Sequence, residues 1–261
     1  RLFYDRGLDT GERLRAFVDQ LLQRSVGNAG ITLHELQLSS RLHLIIPITD
    51  LVQGKTLYLD HYNAPTMPVA EALAISMSLP LIFTPKTYDG NLCVDGGLMD
   101  NFPMHLFPVA TTLGIRSCWT HECKLQSLSQ YISRVVYCAL ASTERHQWRK
   151  MSKEQQAHTI SVDVGDIQTV EFHLTTAQVE QLLEQGRAAV RQMQSHAPLQ
   201  ALLQTVVYQV ASRAQLLSPG HVAEHGHLGM AELHHQQKDH KEQDHHQPSQ
   251  CQQEAPVANV V

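Results

Sequence analysis

An α/β fold is predicted, because helix-like and strand-like segments alternate along most of the chain. Hydrophobic residues make up 43% of the 261 residues, which is enough to form a substantial core. The helical segments repeat apolar residues every three or four positions, and the strand segments are short apolar runs that end at turn residues. This order of elements favours a domain built around a mainly parallel sheet.

The first part of the chain is predicted to form a helix followed by a hairpin or by two neighbouring strands. Thr10 is expected to cap a helix that runs to about Ser25. Residues 41–49 and 55–60 are predicted strands, and Gln53-Gly54 forms the turn between them. The inner face of the helix is expected to carry five apolar residues, Leu14, Phe17, Val18, Leu21 and Leu22.

The remaining elements follow from the same periodicities. Pro68 fits the first position of a short helix that reaches Ser78, since proline lacks only an N–H that has no partner there. Thr175 and Gln178 form a capping box, which predicts a later helix with Val179, Leu182, Leu183, Ala189 and Val190 facing inward. The other predicted elements are strands at 91–94, 112–119 and 159–164 and helices at 129–146 and 199–216.

The composition changes near Pro219, which divides the chain into a folded domain at 1–217 and a tail at 218–261. Large apolar residues nearly vanish in the tail, so it cannot bury enough surface to offset its ordering entropy and is predicted to be disordered. Eight of the 17 histidines lie there: His221, His225, His227, His234, His235, His240, His245 and His246. They could bind metal ions, but a solvated tail without a preorganised site is favoured.

Composition also argues against several classes of partner. A net charge of −5 does not favour nucleic-acid binding. The chain has an odd number of cysteines, five, and no C-x-x-C motif, which indicates a reducing compartment. The spacing of Cys118, His121 and Cys123 disfavours zinc binding by these residues. No signal peptide or membrane-spanning apolar run is found, so a cytoplasmic or membrane-peripheral location is favoured. No metal or cofactor is expected.

The most informative stretch is Val94–Pro103, with the sequence VDGGLMDNFP. Asp95 follows a predicted strand, and functional groups of open α/β sheets gather at the carboxyl ends of strands. The glycines at 96 and 97 permit positive φ and a close backbone approach. Asp95 could therefore serve as a general base for a hydroxyl nucleophile, although an ordinary Asp-Gly turn would have the same dipeptide.

The wider pattern resembles that of patatin-like phospholipases. The family block D-G-G-x-x-x-N-x-P is matched by Asp95, Gly96, Gly97, Asn101 and Pro103. Residues 72–85 (ALAISMSLPLIFTP) resemble the family segment A-x-x-A-S-x-x-x-P-x-x-F-x-P, except that Ile75 replaces the usual alanine. The stretches 32–36 and 49–51 resemble earlier landmarks in the right order, and the resemblance extends over about residues 7–190.

This resemblance implies that residues 1–217 are a partial patatin-like three-layer α/β domain. It also implies a lipid acyl hydrolase that uses a Ser-Asp dyad without a cofactor or metal. Asp95 corresponds to the proton acceptor, with Gly96, Gly97, Asn101 and Pro103 in the supporting loop. The implied partners are a lipid ester substrate and, transiently, a membrane surface.

The nucleophile of the family is not found in the sequence. The family serine lies in G-x-S-x-G, which this chain lacks, and Ser25 in Q-R-S-V-G has no leading glycine and lies at a helix end. We expect the serine and the oxyanion loop to precede residue 1, so that residues 1–261 are an inactive part of an active enzyme. The alternative is a catalytically inactive patatin-shaped module that binds lipid or a protein partner.

Five other residues have plainer explanations than catalysis. His105 could complete a Ser-His-Asp triad, but the family uses a dyad. Ser76 lies on a helix without a nucleophile elbow and is expected to pack near the site. Asp50 is expected to form a turn, and Trp119 and Trp148 are expected in the core or on a helix face.

Overall fold

The computed structural model describes residues 6–118, 127–165, 167, 174–193, 204, 208 and 259–260. Helices and strands alternate along this part of the chain, which confirms the predicted α/β class. The helices are α1 (Glu12–Val26), α2 (Leu33–Ser40), α3 (Val69–Ser76), α4 (Leu128–Lys150), α5 (Lys153–Ala157) and α6 (Thr176–Met193). The strands are β1 (Gly7–Asp9), β2 (Ile46–Asp50), β3 (Lys55–Leu59), β4 (Leu81–Phe83), β5 (Lys86–Tyr88), β6 (Asn91–Asp95), β7 (Thr112–Cys118), β8 (Thr159–Asp163) and β9 (Asn259–Val260).

The strands pair in both directions. Parallel pairing joins β1 to β4, and β7 to both β8 and β9. The four-stranded sheet, in the order β3-β2-β6-β5, is antiparallel throughout. Its direction follows from its connections, since short turns join β2 to β3 and β5 to β6, whereas a parallel pair needs a long crossover. The sheet that carries Asp95 is therefore not part of the parallel pairing that the sequence favours.

Two tight turns define the register of this antiparallel sheet. Asp89 and Gly90 both have positive φ (49° and 77°), as a two-residue type I′ hairpin turn between β5 and β6 requires. Between β2 and β3, the Asp50 carboxylate accepts the N–H groups of Val52 (2.8 Å) and Gln53 (2.9 Å). The predicted hairpin and the role of Asp50 as a turn former are both confirmed.

Glycines rather than Thr10 define the ends of α1. Gly11 occupies the N-cap position with φ 76° and makes no side-chain cap, so the prediction that Thr10 caps the helix is wrong. A glycine can adopt this left-handed conformation without steric cost, which places the helix start one residue later. Gly27 has φ 75° and ends the helix as predicted.

The inner face of α1 is narrower than the sequence indicates. Val18 and Val26 are buried, and Leu22 packs against the same core cluster. Phe17 and Leu21, which were expected to face inward, are 55% and 44% exposed. The contact of α1 with the short helix α3 covers only one stripe of side chains, so part of the apolar face lies outside it.

The helix α2 was not predicted, although its signals are local. Thr32 and Glu35 form a reciprocal capping box at its start. At its end Arg41 has φ 56° and donates its N–H to the carbonyl of Gln37. The chain therefore leaves a helix at Arg41, and the strand that was predicted from residue 41 begins only at Ile46.

The main core lies between α3 and the antiparallel sheet. Pro68 occupies the N-cap of α3, one position before the predicted one. Alanines on α3 let the helix lie close to β2 and β6, because small side chains reduce the separation of two backbones. The buried members of this core include Ile31, Leu33, Ile46, Ile48, Leu59, Val69, Ala72, Ile75 and Cys93.

A smaller core joins the parallel pair β7–β8 to α6. Leu113 and Ile160 are its buried members, and they pack against Val162 and three residues near the end of α6, Ala189, Val190 and Met193. Val179 and Leu183 were predicted to face inward but are 41% and 54% exposed. Only the C-terminal part of α6 therefore packs as the periodicity indicates.

The helix α4 is attached to β7 through a charged cluster. Arg116 donates to the Glu144 carboxylate at 2.9 Å, and its guanidinium lies 3.7 Å from the centre of the Trp148 ring. Trp148 is thus a partly buried helix-face residue, as expected. Burial raises the pKa of the Glu144 carboxyl, and the Arg116 charge opposes that rise.

Several predictions fall wholly or largely on residues outside the described ranges. They are Trp119, the zinc candidates His121 and Cys123, most of the helix at 199–216 and the tail at 218–258. Within 199–216, Gln204 and Tyr208 are described, and both are helical. Of the tail, the pair Asn259–Val260 is described, and it forms β9 parallel to β7. Across the described residues, no helix is both long and apolar enough to cross a membrane.

Candidate active site

Backbone contacts on both sides hold Asp95 at the carboxyl end of β6. Asp95 is paired with Ile48 of β2, and its N–H donates to the carbonyl of Ser78 at 3.0 Å. Its own carbonyl accepts the hydroxyl of Thr49 at 2.9 Å. The residue therefore lies at the strand end that the sequence predicts, with its main chain tied to β2 and to the segment after α3.

The Asp95 carboxylate is partly buried and keeps one oxygen available. Oδ1 accepts the N–H of Gly97 at 2.6 Å, which is the one hydrogen bond to this carboxylate within the described residues. Burial raises the pKa of Asp95 to about 6, and the Gly97 N–H opposes that rise. A carboxylate with a pKa near neutral pH is suited to accept a proton during a reaction and to release it afterwards.

The Asp95 carboxylate is compatible with both interpretations of the Asp-Gly pair, the local turn and the candidate general base. The bond from Gly97 to Oδ1 is the local turn bond that an ordinary Asp-Gly turn would make. Oδ2 has no partner within the described part of the chain, so it is the oxygen that could meet a nucleophile. An ordinary turn alone would not require the partial burial that raises the pKa of this group.

Both glycines after Asp95 are required by close approach. A Cβ on Gly96 would lie 2.2 Å from the carbonyl oxygen of Pro47, and a Cβ on Gly97 would lie 2.5 Å from Asn101 Oδ1 and 2.9 Å from Asp95 Oδ1. Neither glycine has a positive φ, so of the two properties that glycine permits, these positions use the close backbone approach. At Gly96 a methyl group would meet the main chain of Pro47, which cannot give way, whereas at Gly97 it would meet the side-chain oxygens of Asn101 and Asp95 and would press on the carboxylate.

The rest of the block forms a compact loop. Residues Gly96–Leu98 make a 3₁₀ turn, and the N–H groups of Met99 and Asp100 both donate to the carbonyl of Gly96, at 3.1 and 2.9 Å. Asn101 is exposed, with its amide oxygen against Gly97. Pro103 precedes a second 3₁₀ turn, Met104–Leu106.

Sequence reasoning did not assign a role to Asp100, although it lies within the block. Asp100 is 4% exposed, and its carboxylate accepts the hydroxyl of Tyr58 and the side-chain amide of Gln147. His105 Nε2 lies 3.7 Å from the same carboxylate. The partners come from β3 and α4, which are 42 and 47 residues away in sequence, so no local pattern could indicate them.

The structure supports structural rather than catalytic roles for Ser76 and His105. The Ser76 hydroxyl donates to the carbonyl of Pro47 at 2.7 Å and so ties α3 to β2 beside Gly96. His105 Nε2 is 3.4 Å from the Tyr58 hydroxyl, and its side chain is 58% exposed. Within the described residues His105 makes no hydrogen bond to Asp95.

No nucleophile accompanies Asp95 in the described part of the chain. Ser25 lies exposed in the last turn of α1, and no serine hydroxyl within the described residues donates to the Asp95 carboxylate. The same residues hold no cluster of three or more histidine, cysteine or acidic side chains that could bind a metal ion. The site as described is a partly buried carboxylate with one hydrogen bond from the loop that follows it.

Comparison with known proteins finds a family match over the first part of the chain. Residues 1–108 match the model of the family described as patatin-like phospholipase. This stretch contains the five residues of the predicted site, Asp95, Gly96, Gly97, Asn101 and Pro103. It is shorter than the region over which the motifs resemble that family, about residues 7–190.

Three curated relatives share between 24% and 28% identity with the chain. An uncharacterized protein of Acanthamoeba polyphaga mimivirus is 24% identical over 71% of this chain and 64% of its own length. The uncharacterized protein YqhO of Bacillus subtilis (strain 168) is 28% identical over 71% of this chain and 67% of its own length. A protein of Invertebrate iridescent virus 6 named as a probable lipid hydrolase is 26% identical over 56% of this chain and 47% of its own length.

Among solved structures, VipD from Legionella pneumophila aligns with a TM-score of 0.46 and 16% identity. The alignment covers 65% of this chain and 36% of VipD.

Proposed function

We propose, from the match of residues 1–108 to the model of the patatin-like phospholipase family, that this protein hydrolyses acyl esters of lipids with Asp95 as the general base. The observation that carries the proposal is the Asp95 carboxylate itself. It stands at a strand end, partly buried, with a pKa raised to about 6 and with Oδ2 unpaired in the described residues. The relative named as a probable lipid hydrolase supports the same substrate class.

The proposed reaction proceeds in two halves, and in each half Asp95 accepts one proton and releases it again. In the first half, a serine hydroxyl attacks the acyl carbonyl while Asp95 accepts its proton, and the alcohol part of the lipid leaves with that proton. In the second half, water attacks the acyl-enzyme, Asp95 accepts a proton from the water, and the fatty acid leaves as the serine regains its hydrogen. Each half returns Asp95 to its ionised form.

The attacking serine is assigned to a part of the protein outside residues 1–261. The 261 residues contain no G-x-S-x-G, and hydroxyl nucleophiles of this type are exposed on such strained turns. The donors that stabilise the oxyanion would come from the same region, and their contribution to catalysis is usually large. The chain spans 64% of the mimivirus relative, which leaves room in such proteins for further functional segments.

Substitution of Asp95 tests the proposal. The complete protein should release fatty acid from phospholipid vesicles and 4-nitrophenol from 4-nitrophenyl esters, and Asp95→Asn should lower kcat by at least about 10²-fold. Asparagine keeps the acceptor for the Gly97 N–H but cannot take a proton. In the unaltered protein kcat/KM should decrease at pH values under about 6, because Asp95 becomes protonated there.

The matched control is Asp89→Asn. Asp89 is exposed on the β5–β6 turn of the same sheet, and asparagine tolerates its positive φ. This variant should keep full activity. Retained activity in folded Asp95→Asn would remove Asp95 from the mechanism.

One observation favours an alternative, a catalytically inactive module that binds lipid or a protein partner. Asp95 Oδ1 is already engaged by its own loop, and no serine accompanies the carboxylate in the described residues. Under this alternative, the complete protein would bind vesicles without releasing fatty acid, and Asp95→Asn would leave that binding unchanged. Fatty acid release that depends on Asp95 would exclude it.

A further inference from the structure

We propose that Asp100 is a positioning residue for Asp95, because it ties the loop after β6 to β3 on one side and to α4 on the other. The catalytic meaning of this inference rests on the proposed function. Its structural content, the fixed place of the Asp95 carboxylate, can be measured without any turnover.

The backbone of the loop couples Asp100 directly to the neighbours of Asp95. The N–H of Asp100 donates to the carbonyl of Gly96 at 2.9 Å, and the N–H of that same planar peptide group, which belongs to Gly97, donates to Asp95 Oδ1 at 2.6 Å. Gly96 is packed closely against the main chain of Pro47 on β2, since a Cβ there would lie 2.2 Å from the Pro47 carbonyl oxygen. A displacement of Asp100 would therefore move the group that orients the carboxylate.

The Asp100 side chain is anchored in a buried network. One oxygen accepts the Tyr58 hydroxyl from β3, and the other accepts the side-chain amide of Gln147 from α4. Burial and the Asp100 carboxylate raise the pKa of Tyr58, so this hydroxyl remains a donor. His105 Nε2 lies 3.7 Å from the carboxylate on the exposed side. A buried carboxylate with two donors has little freedom to rotate, since loss of either hydrogen bond would leave an unpaired polar group.

The helix α4 holds the loop at a second point. The Thr143 hydroxyl lies 3.2 Å from the carbonyl oxygen of Leu98 and 3.2 Å from that of Ala139, so its one hydrogen is shared between the loop and the helix. Thr143 and Gln147 are four residues apart and therefore lie on the same face of α4. These two contacts place one face of α4 against the loop between Leu98 and Asp100.

A simpler explanation is that Asp100 only stabilises the fold, and Asp50 provides the matched control for it. Asp50 is 1% exposed and accepts three hydrogen bonds, from Val52, Gln53 and Asn91. It belongs to the same sheet but supports the turn at the other end of β2. Asp50→Ala should therefore lower the melting temperature without changing the surroundings of Asp95.

The decisive measurement is an NMR titration of the full chain labelled with ¹⁵N-glycine. The Gly97 amide, which binds Asp95 Oδ1, should titrate with a midpoint near pH 6, and it is assigned by the loss of this titration in Asp95→Asn. In Asp100→Ala the loosened loop admits water to Asp95, so the midpoint should move toward the ordinary aspartate range and the Gly97 amide should exchange faster with solvent. Asp50→Ala should keep the wild-type midpoint.

Asp100→Asn serves as the conservative variant. Asparagine keeps an acceptor for Tyr58, and its amide group could donate to Gln147 Oε1, a buried atom without a partner in the described residues. This variant should retain a midpoint close to that of the wild type. If Asp100→Ala does not fold, Tyr58→Phe and Gln147→Leu each remove one hydrogen bond, and each should lower the midpoint by a smaller amount.

Kinetics of the complete protein supply the second readout. Asp100→Ala should lower kcat by roughly 10²-fold with KM within about twofold, because a misplaced base slows the chemistry more than it weakens binding. The acid limb of kcat/KM should move to lower pH together with the Gly97 midpoint. Absence of ester hydrolysis in the wild type would refute the proposed function, but the Gly97 titration would still decide the positioning role. A Gly97 midpoint and exchange rate that are unchanged in folded Asp100→Ala, or in both Tyr58→Phe and Gln147→Leu, would overturn the inference.

Discussion

Two aspartates at the ends of neighbouring strands have opposite electrostatic environments. Asp95 ends β6 with one N–H bound to its carboxylate, and burial raises its pKa to about 6. Asp50 ends β2 with hydrogen bonds from Gln53, Val52 and Asn91, and these bonds lower its pKa, with the Gln53 N–H as the largest cause. The number of donors that reach each carboxylate thus separates the candidate base from the turn former.

The raised pKa of Asp95 predicts a pH-dependent gain in stability for Asp95→Asn. Between about pH 4 and pH 6 the folded state holds a proton on Asp95 that the unfolded state has lost, so the free energy of unfolding of the wild type falls as pH rises through this window. Asparagine does not ionise, so the free energy of unfolding of the variant lacks this decrease. Relative to the wild type, the variant should therefore be more stable at pH 7.5 than at pH 4 by on the order of 2 kcal/mol, as measured by urea unfolding.

Asp50→Asn should show the opposite sign and serves as the control. The lowered pKa of Asp50 means that its ionised form stabilises the folded state above the ordinary aspartate pKa, and that this contribution is lost as pH falls. Relative to the wild type, the variant should therefore lose more free energy of unfolding at pH 7.5 than at low pH. Parallel pH profiles for the two variants would contradict both assignments.

At the level of elements, local chemistry accounts for helix ends and hairpins. The Asp89-Gly90 pair is a strong two-residue hairpin signal, and the Thr32–Glu35 capping box is an equally local helix signal. Neither was used in predicting the elements, although both could be read from the sequence. The start of α1 differs, because Thr10 has the right side chain but Gly11 takes the left-handed conformation that begins the helix.

This contrast between the two threonines is testable. Thr32→Ala removes the acceptor for the Glu35 N–H and should lower the free energy of unfolding by about 1 kcal/mol. Thr10→Ala should change it by no more than about 0.5 kcal/mol, since Thr10 makes no side-chain cap. Denaturant unfolding of both variants measures the difference, and equal losses would show that Thr10 caps α1 in solution.

At the level of the whole molecule, the candidate site joins distant parts of the chain. The loop after β6 supplies Asp95 and Asp100, the hairpin supplies Tyr58, and α4 supplies Thr143 and Gln147. The curated relatives share sequence over 56% to 71% of this chain. The described residues contain the candidate base and its hydrogen-bond partners, and the proposed mechanism requires a serine and an oxyanion hole in addition.

Residues 1–261 alone are therefore predicted to be inactive. The purified chain should fold, as judged by the Gly97 titration, but should release no 4-nitrophenol above the buffer rate from 4-nitrophenyl esters. The complete protein with a serine motif should be active, and its activity should require Asp95. Turnover by residues 1–261 would show that the nucleophile lies within this chain.

The sequence by itself determined the α/β class, the first hairpin, the capping box at Thr175 and the strand end at which Asp95 lies. These features depend on local periodicity and on turn chemistry, and residues close together in the sequence are sufficient to specify both. It did not determine which apolar positions are buried: Phe17, Leu21, Val179 and Leu183 fit their helical stripes but remain exposed.

Only the tertiary structure decided how the Asp95 loop is held. The need for glycine at 96 and 97 arises from contact with Pro47 and Asn101 rather than from positive φ. The partners of Asp100 lie more than 40 residues away in sequence, on β3 and α4. Such contacts depend on packing between elements, which no local pattern encodes, and packing also produces the burial that raises the pKa of Asp95.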